Sequence, residues 1–126
     1  MKKLTFVAGA FLAVAALGAQ AHARLKASNP KEGAVVTEMQ MPAVVSLTFS
    51  ESARMTAVSI QKDQEPKKKL TPPTATGQQI DVAVPTLSPG AYTLSWRVAS
   101  TDDNHIMPGE LHFKVTAGRL NRPMKD

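Results

Sequence analysis

Strict alternation of apolar and polar residues is the feature that most limits how this chain can fold. It is clearest over residues 91–98, AYTLSWRV, where every second side chain is apolar. A period of two places successive side chains on opposite faces of a strand, so that one face is buried and the other meets water. The pattern recurs in residues 44–50, VVSLTFS, and 111–115, LHFKV. Strands are also predicted over 55–60 and 80–84, with an opening strand over 23–27.

Turn-forming residues separate these runs. They are Asn29-Pro30, Glu32-Gly33, Pro72-Pro73, Gly77 and Pro89-Gly90. Glycine permits positive φ, and proline pre-sets φ for the first turn position. After the N-terminal apolar segment, no apolar stripe at helical spacing continues over three turns. Short strands with turn signals about every dozen residues are typical of an antiparallel sandwich or barrel, so an all-β domain is predicted, with Trp96 and Tyr92 in its core.

The first 21 residues are interpreted as a cleaved secretory signal peptide. Two lysines follow the initiator Met, then an apolar run covers residues 4–17 and Ala-Gln-Ala occupies 19–21. This is the order of a signal peptide, and the apolar run is shorter than the roughly 20 residues of a spanning helix. Cleavage after Ala21 would make His22 the new N-terminus. Residues 21–23 also fit the cleavage rule, so a cut after Ala23 stays open.

Composition excludes several classes of function. The chain contains no cysteine, which removes disulfides, thiolate catalysis and Cys-based zinc sites. The net charge is +5, but two lysines belong to the signal peptide and three form the run 67–69. That run is predicted to be a solvated loop, with an anionic partner as the alternative. Few aromatic residues argue against nucleic-acid binding. A monomeric domain over 22–117 and a loose polar tail over 118–126 are expected.

The stretch STDDNHIMPG, residues 100–109, is more polar than a connection between two strands requires. Asp103 and His105 are two residues apart, which places both side chains on one side of an extended chain. An N-terminal His22 would offer its α-amine and its ring Nδ1. Together these groups supply three nitrogens and one oxygen, and a nitrogen-rich set favours Cu(II). Spacing alone leaves an ordinary polar turn open.

Three segments of the chain resemble the CopC family of periplasmic copper-binding proteins. They are HARLKASNPKEGAVV from residue 22, VVSLTFSESA from residue 44, and LSPGAYTLSWRVASTDDNHIMPGELHFKV from residue 87. The resemblance implies an Ig-like Greek-key β-sandwich, small and barrel-like. It also implies one Cu(II) ion held by His22, Asp103 and His105, with Glu51 of the Phe-Ser-Glu motif nearby. Because the N-terminal histidine is part of that site, the resemblance favours cleavage after Ala21.

The chain departs from the family pattern at two places. One extra residue stands between Trp96 and the Asp-x-His pair, so Asp102 is a rival to Asp103 for the oxygen ligand. Some members carry a methionine-rich loop for Cu(I), whose preferred ligand is a thioether. The corresponding residues here, 61–77, contain no methionine, although Met107 lies near His105 in sequence. A Cu(II) binder without a dedicated Cu(I) site is therefore expected.

The function implied by the resemblance is sequestration or delivery of Cu(II) in the periplasm, without bond chemistry. The implied partner is an inner-membrane copper permease of the CopD type. Two alternatives stay open. One is an oxidative enzyme with a copper brace, although an aspartate on the metal would compete for the open position that such chemistry needs. The other is an adhesion or interaction sandwich that binds no metal.

Overall fold

The computed structural model describes residues 24–117, which are built from β-strands and their connections. The strands are β1 (Leu25–Asn29), β2 (Ala34–Thr37), β3 (Val44–Lys62), β4 (Lys68–Leu70), β5 (Thr76–Ala83), β6 (Gly90–Ser100) and β7 (Ile106–Thr116). The predicted signal peptide, His22 and the predicted tail lie outside the described residues. In the described part of the chain, no helix is long and apolar enough to cross a membrane.

All seven strands join into one curled sheet. Its order is β1-β3-β6-β7-β2, and β4 and β5 also pair with β3. The all-β, sandwich-like fold predicted from the alternation is therefore confirmed. Pairing is antiparallel except between β2 and β7, which are parallel. The sequence did not predict β2, because its four residues are too few to show a clear alternation.

β3 is a single strand of 19 residues, although its sequence predicted two separate runs. Its pairing with β5 shifts register between Thr48 and Ala53, and its pairing with β6 shifts between Met55 and Ala57. Such bulges bend a strand and increase its twist. They allow β3 to continue where the alternation in its sequence is broken, and the strand then pairs with four others.

The core contains the residues that the alternation selected. Phe49, Leu94, Trp96 and Val98 are buried, and the rings of Phe49 and Trp96 meet edge to face at 6.1 Å. Tyr92 stacks on Phe113 at 5.7 Å, and its hydroxyl donates a hydrogen bond of 2.6 Å to a backbone carbonyl. A buried phenol normally needs such a partner. The predicted core positions of Trp96 and Tyr92 are confirmed.

The connection between β6 and β7 is shorter than residues 100–109, the stretch that the sequence pattern indicates as the connection between two strands. β7 begins at Ile106, so Pro108 and Gly109 lie within the strand, and the connection covers only residues 101–105. β2 pairs with β7 only from Phe113 onward, so Pro108 lies where β7 is an edge strand in the described structure. Proline is tolerated at an edge because no ladder bond is lost there. Gly109 is paired with Trp96 and packs against its ring.

Gly109→Ala is expected to destabilise the protein by about 1–3 kcal/mol, because it overpacks the core. A Cβ at this position would lie 2.6 Å from atoms of the buried Trp96 ring, which cannot easily move. Gly90→Ala is the matched control, since the Cβ there would meet mainly the flexible side chain of Lys62. Urea denaturation followed by Trp fluorescence measures both variants. Equal losses of stability would contradict the packing explanation.

Two short segments of the chain differ in how they meet the sheet. Residues 38–40 form a turn in which Met39 is 84% exposed, whereas Met41 packs against the core and Met55 is buried within it. The lysine run was expected to be a loop. Instead, Lys68–Leu70 pair with Val58–Ile60 of β3, because a short strand can add to the free edge of a longer one.

Candidate metal centre

The edge of β3 places the start of β1 close to the end of β6. β5 pairs with Ser46–Thr48 on the side opposite β1, and with Ala53 on the side opposite β6. Because β5 follows one side of β3, β1 and β6 must follow each other along the other side. They approach at residues 50–52, between the two pairings. Two segments that are far apart in sequence therefore meet at one short stretch of β3.

Hydrogen bonds hold both segments at this stretch. The amide of Arg24 donates to Ser50 Oγ at 3.0 Å, and the amide of Ser50 donates to the carbonyl of Arg24 at 2.8 Å. Thr101 donates from its amide to the carbonyl of Ser52 at 3.1 Å. Ser50 and Ser52 are two residues apart, which corresponds to about 7 Å along a strand. The loop after β6 and the start of the described chain are therefore neighbours.

Ser100 anchors the loop that follows β6. Among residues 24–117 it is the one buried polar residue, at 1% exposure. Its carbonyl accepts a bond from the amide of Asn104 at 2.8 Å, its amide donates to the carbonyl of His105 at 2.9 Å, and its Oγ accepts from the amide of Asp102 at 3.3 Å. Asn104 has a φ of 59°, a left-handed conformation that asparagine tolerates well. No pattern in the sequence had assigned a role to Ser100.

Asp103 and His105 are linked within this exposed loop. The Oδ1 atom of Asp103 accepts a hydrogen bond of 3.0 Å from the backbone amide of His105. This is the local turn that aspartate forms with the residue two positions on. It holds the Asp103 carboxylate beside the backbone of His105. The structure thus brings together the two members of the Asp-x-His pair.

The other predicted ligands are placed less completely. Glu51 is half-buried on β3, between the two serines that bind Arg24 and Thr101. His22 precedes the described residues. Within residues 24–117, no group of three histidine, aspartate or glutamate side chains is arranged so that it could hold a metal ion. The described residues therefore contain an acid–histidine loop and a nearby glutamate, and a complete ligand set would need a further donor.

Met107 was noted as a possible neighbour of His105. It is half-buried, packs against the hydrophobic core and lines a cavity of about 260 Å³. Arg24 and Trp96 line the same cavity, so it extends from the core to the start of β1. The position of Met107 is accounted for by packing, and the thioether fills space as methionine commonly does in cores.

A second acid–histidine group lies on the outer face of the sheet. Glu32 accepts a hydrogen bond of 2.9 Å from the amide of His112, and its other oxygen is 3.0 Å from His112 Nδ1. The backbone hydrogen bond is the main reason why the pKa of Glu32 is lowered. Glu110 lies 3.4 Å from the opposite ring nitrogen, Nε2. The two carboxylates flank the ring and therefore do not converge with it on one ion. His112 itself is exposed on its strand.

The fold and the candidate site define a small all-β domain that presents an acid–histidine loop beside the start of its first strand. A family model for the CopC domain matches residues 25–116. The chain belongs to the CopC family, and the resemblance noted in its sequence is confirmed.

Two solved structures have a similar fold. The crystal structure of CopC from Methylosinus trichosporium OB3b has a TM-score of 0.61 and 22% sequence identity, covering 80% of this chain and 100% of that one. The crystal structure of selenomethionine PcoC, a copper resistance protein from Escherichia coli, has a TM-score of 0.53 and 22% identity, covering 74% and 99% respectively. Comparison with curated proteins gave no match.

Proposed function

We propose that this protein binds one Cu(II) ion in the periplasm and stores or delivers it without catalysing a reaction. The observation that carries the proposal is the meeting of the Asp103–His105 loop with the start of β1 at residues 50–52 of β3. Membership of the CopC family, and the similarity to a protein described as a copper resistance protein, support copper as the ion. The same similarities support a role in copper homeostasis or resistance.

The proposed nitrogen ligands are His105 and the α-amine and ring of His22, after cleavage behind Ala21. His22 is two residues before Arg24 in the sequence, and two residues span at most about 7 Å. That reach is comparable to the spacing between Ser50 and Ser52. Arg24 is hydrogen-bonded to Ser50, and Thr101 is hydrogen-bonded to Ser52. A chain that starts at His22 is therefore long enough to bring its amine to the loop.

The proposed oxygen ligand is Asp103. Its carboxylate contacts the backbone of His105, whereas Asp102 bonds to Ser100 through its backbone amide. Glu51 lies on the stretch of β3 between the two segments. We propose that it either completes the coordination or accepts a hydrogen bond from a ligand, since such outer partners orient metal-bound histidines.

Binding and exchange are sufficient for this role. Nitrogen-rich coordination favours Cu(II), which also has the highest affinity among the divalent first-row metals. The histidines and the amine must be deprotonated to bind, so affinity is expected to fall in acid. The proposed carboxylate ligand would compete for the position that an oxidative copper enzyme keeps open. We propose a monomer that exchanges copper with a CopD-type permease of the inner membrane.

A copper titration of the exported protein tests this proposal. Its intact mass is expected to begin at His22, and one equivalent of Cu(II) is expected to give an EPR spectrum with nitrogen couplings. The protein expressed without residues 1–22 is the control, since it keeps the described domain but lacks the proposed amine and imidazole. An exported mass that begins at Arg24, or a spectrum identical in the two proteins, would contradict the proposed site.

A further inference from the structure

A large groove lies on the outer face of the sheet, and its residues do not belong to the candidate metal centre. Its volume is about 860 Å³, within the range of cavities that hold ligands. Lys67 and Lys69, at β4, form one side of the groove, and Pro108 to Glu110 of β7 form the other. Arg97 of β6 lines it between them. We call it the basic groove, after Lys67, Lys69 and Arg97.

The floor of the basic groove is made of small side chains. Across the strands, Lys69 is paired with Ser59, and Ser59 is paired with Ser95. Ala57 is paired with Arg97 in the neighbouring row. Paired residues of adjacent strands point to the same face of a sheet. Ala57, Ser59 and Ser95 therefore leave room for the backbone of another chain to approach the sheet closely.

The lining of the groove carries three cations and one carboxylate, so its net charge is positive. Lys67, Lys69 and Arg97 are exposed, and none of them forms a salt bridge with another of residues 24–117. The one carboxylate that lines the groove belongs to Glu110, and it lies 3.4 Å from His112 Nε2. A groove with unpaired cations around an accessible floor is complementary to a ligand that carries negative charge.

The spacing of two of the cations indicates the shape of that ligand. Lys69 and Arg97 are separated by two strand-to-strand steps of about 4.8 Å and by two residues along the strand, or about 7 Å. The distance between their Cα atoms is therefore about 12 Å. In an extended peptide, residues four apart are separated by about 13 Å. Two carboxylates at that spacing can reach both cations at once.

We propose that the basic groove docks an extended acidic segment of a partner protein. A concave surface with a floor of small residues fits a peptide chain, whereas a planar lipid surface would leave that floor without contact. The cations of the groove orient the acidic segment and speed its encounter with the protein. The backbone of the segment gains contact area by lying against the floor of the groove. This proposal does not rest on copper binding, because Lys69, Arg97 and Ala57 lie outside the proposed ligand set.

A fluorescein-labelled peptide of nine residues, with glutamate at every second position and serine between, is the probe. Fluorescence anisotropy at low ionic strength is expected to show binding that weakens as salt is added. The double variant Lys69→Glu/Arg97→Glu is expected to weaken binding by about tenfold or more, because attraction becomes repulsion. Ala57→Trp fills the floor while leaving every charge in place, and it is expected to weaken binding by about tenfold as well.

The matched control is Lys31→Glu/Lys114→Glu, which changes the net charge equally at exposed positions outside the groove. It is expected to change affinity by less than about twofold to threefold, since it alters only the long-range field. An equal loss in the control, or equal binding of a glutamine version of the peptide, would overturn the proposal. Groove-dependent binding to phosphatidylglycerol vesicles without peptide binding would also overturn it. Thermal unfolding and circular dichroism that match those of the unmodified protein confirm that the variants are folded.

Discussion

One extra residue ahead of His22 is expected to weaken Cu(II) binding by more than about 100-fold. Loss of an outer-shell partner alone costs up to about 100-fold, and here a proposed direct ligand is lost. The added residue converts the α-amine of His22 into an amide, and it moves the free amine away from the imidazole. The amine and the imidazole of His22 can then no longer bind the same ion as a chelate. Competition with a coloured Cu(II) chelator at neutral pH measures the change.

The control for this extension is an alanine added after Asp126. It lengthens the chain equally but leaves the N-terminus unaltered, so Cu(II) affinity is expected to stay the same. Because the described domain begins beyond His22, thermal unfolding of the copper-free protein is expected to be the same for both variants. Unaltered affinity in the N-terminal variant would show that the amine is not a ligand, even if the protein binds copper by other groups.

His105→Ala is expected to cause the second large loss, again more than about 100-fold in Cu(II) affinity. The variant removes a nitrogen donor from an exposed loop, and the loop itself is held by backbone bonds to Ser100. Its structure is therefore expected to persist without the imidazole. EPR should show fewer nitrogen couplings in the copper complex of this variant, and an unchanged spectrum would exclude His105 as a ligand.

Asp103→Asn and Asp102→Asn separate the two candidate oxygen donors. The first change keeps a side-chain oxygen that can accept from the amide of His105, so the turn is preserved and only the charge is lost. We expect Asp103→Asn to weaken binding by about 10–100-fold and Asp102→Asn to have little effect. The reverse order would assign the oxygen to Asp102. Because His22, Asp103 and His105 would act on one ion, combined variants are expected to be non-additive.

Local patterns predicted most of the core but not the continuity of the strands. Burial of Trp96 and Tyr92 follows from a period of two, which depends only on neighbouring residues. β3 was predicted as two strands. The bulges that join them depend on pairing with β5 and β6, and this pairing is not visible in the local sequence. The placement of Pro108 and Gly109 inside β7 depends on an edge position and on the Trp96 ring, neither of which is visible in the local sequence.

The sequence alone determined the class of fold, the family and the Asp-x-His pair, because periodicity and motif spacing are properties of adjacent residues. The tertiary structure decided what surrounds that pair. Ser100 anchors the loop, and the edge of β3 brings Thr101 and Arg24 to Ser52 and Ser50. These contacts join residues far apart in the chain, and they arise because β1 and β6 share one edge of β3. Such pairing is selected by burial of the whole sheet, so no single segment encodes it.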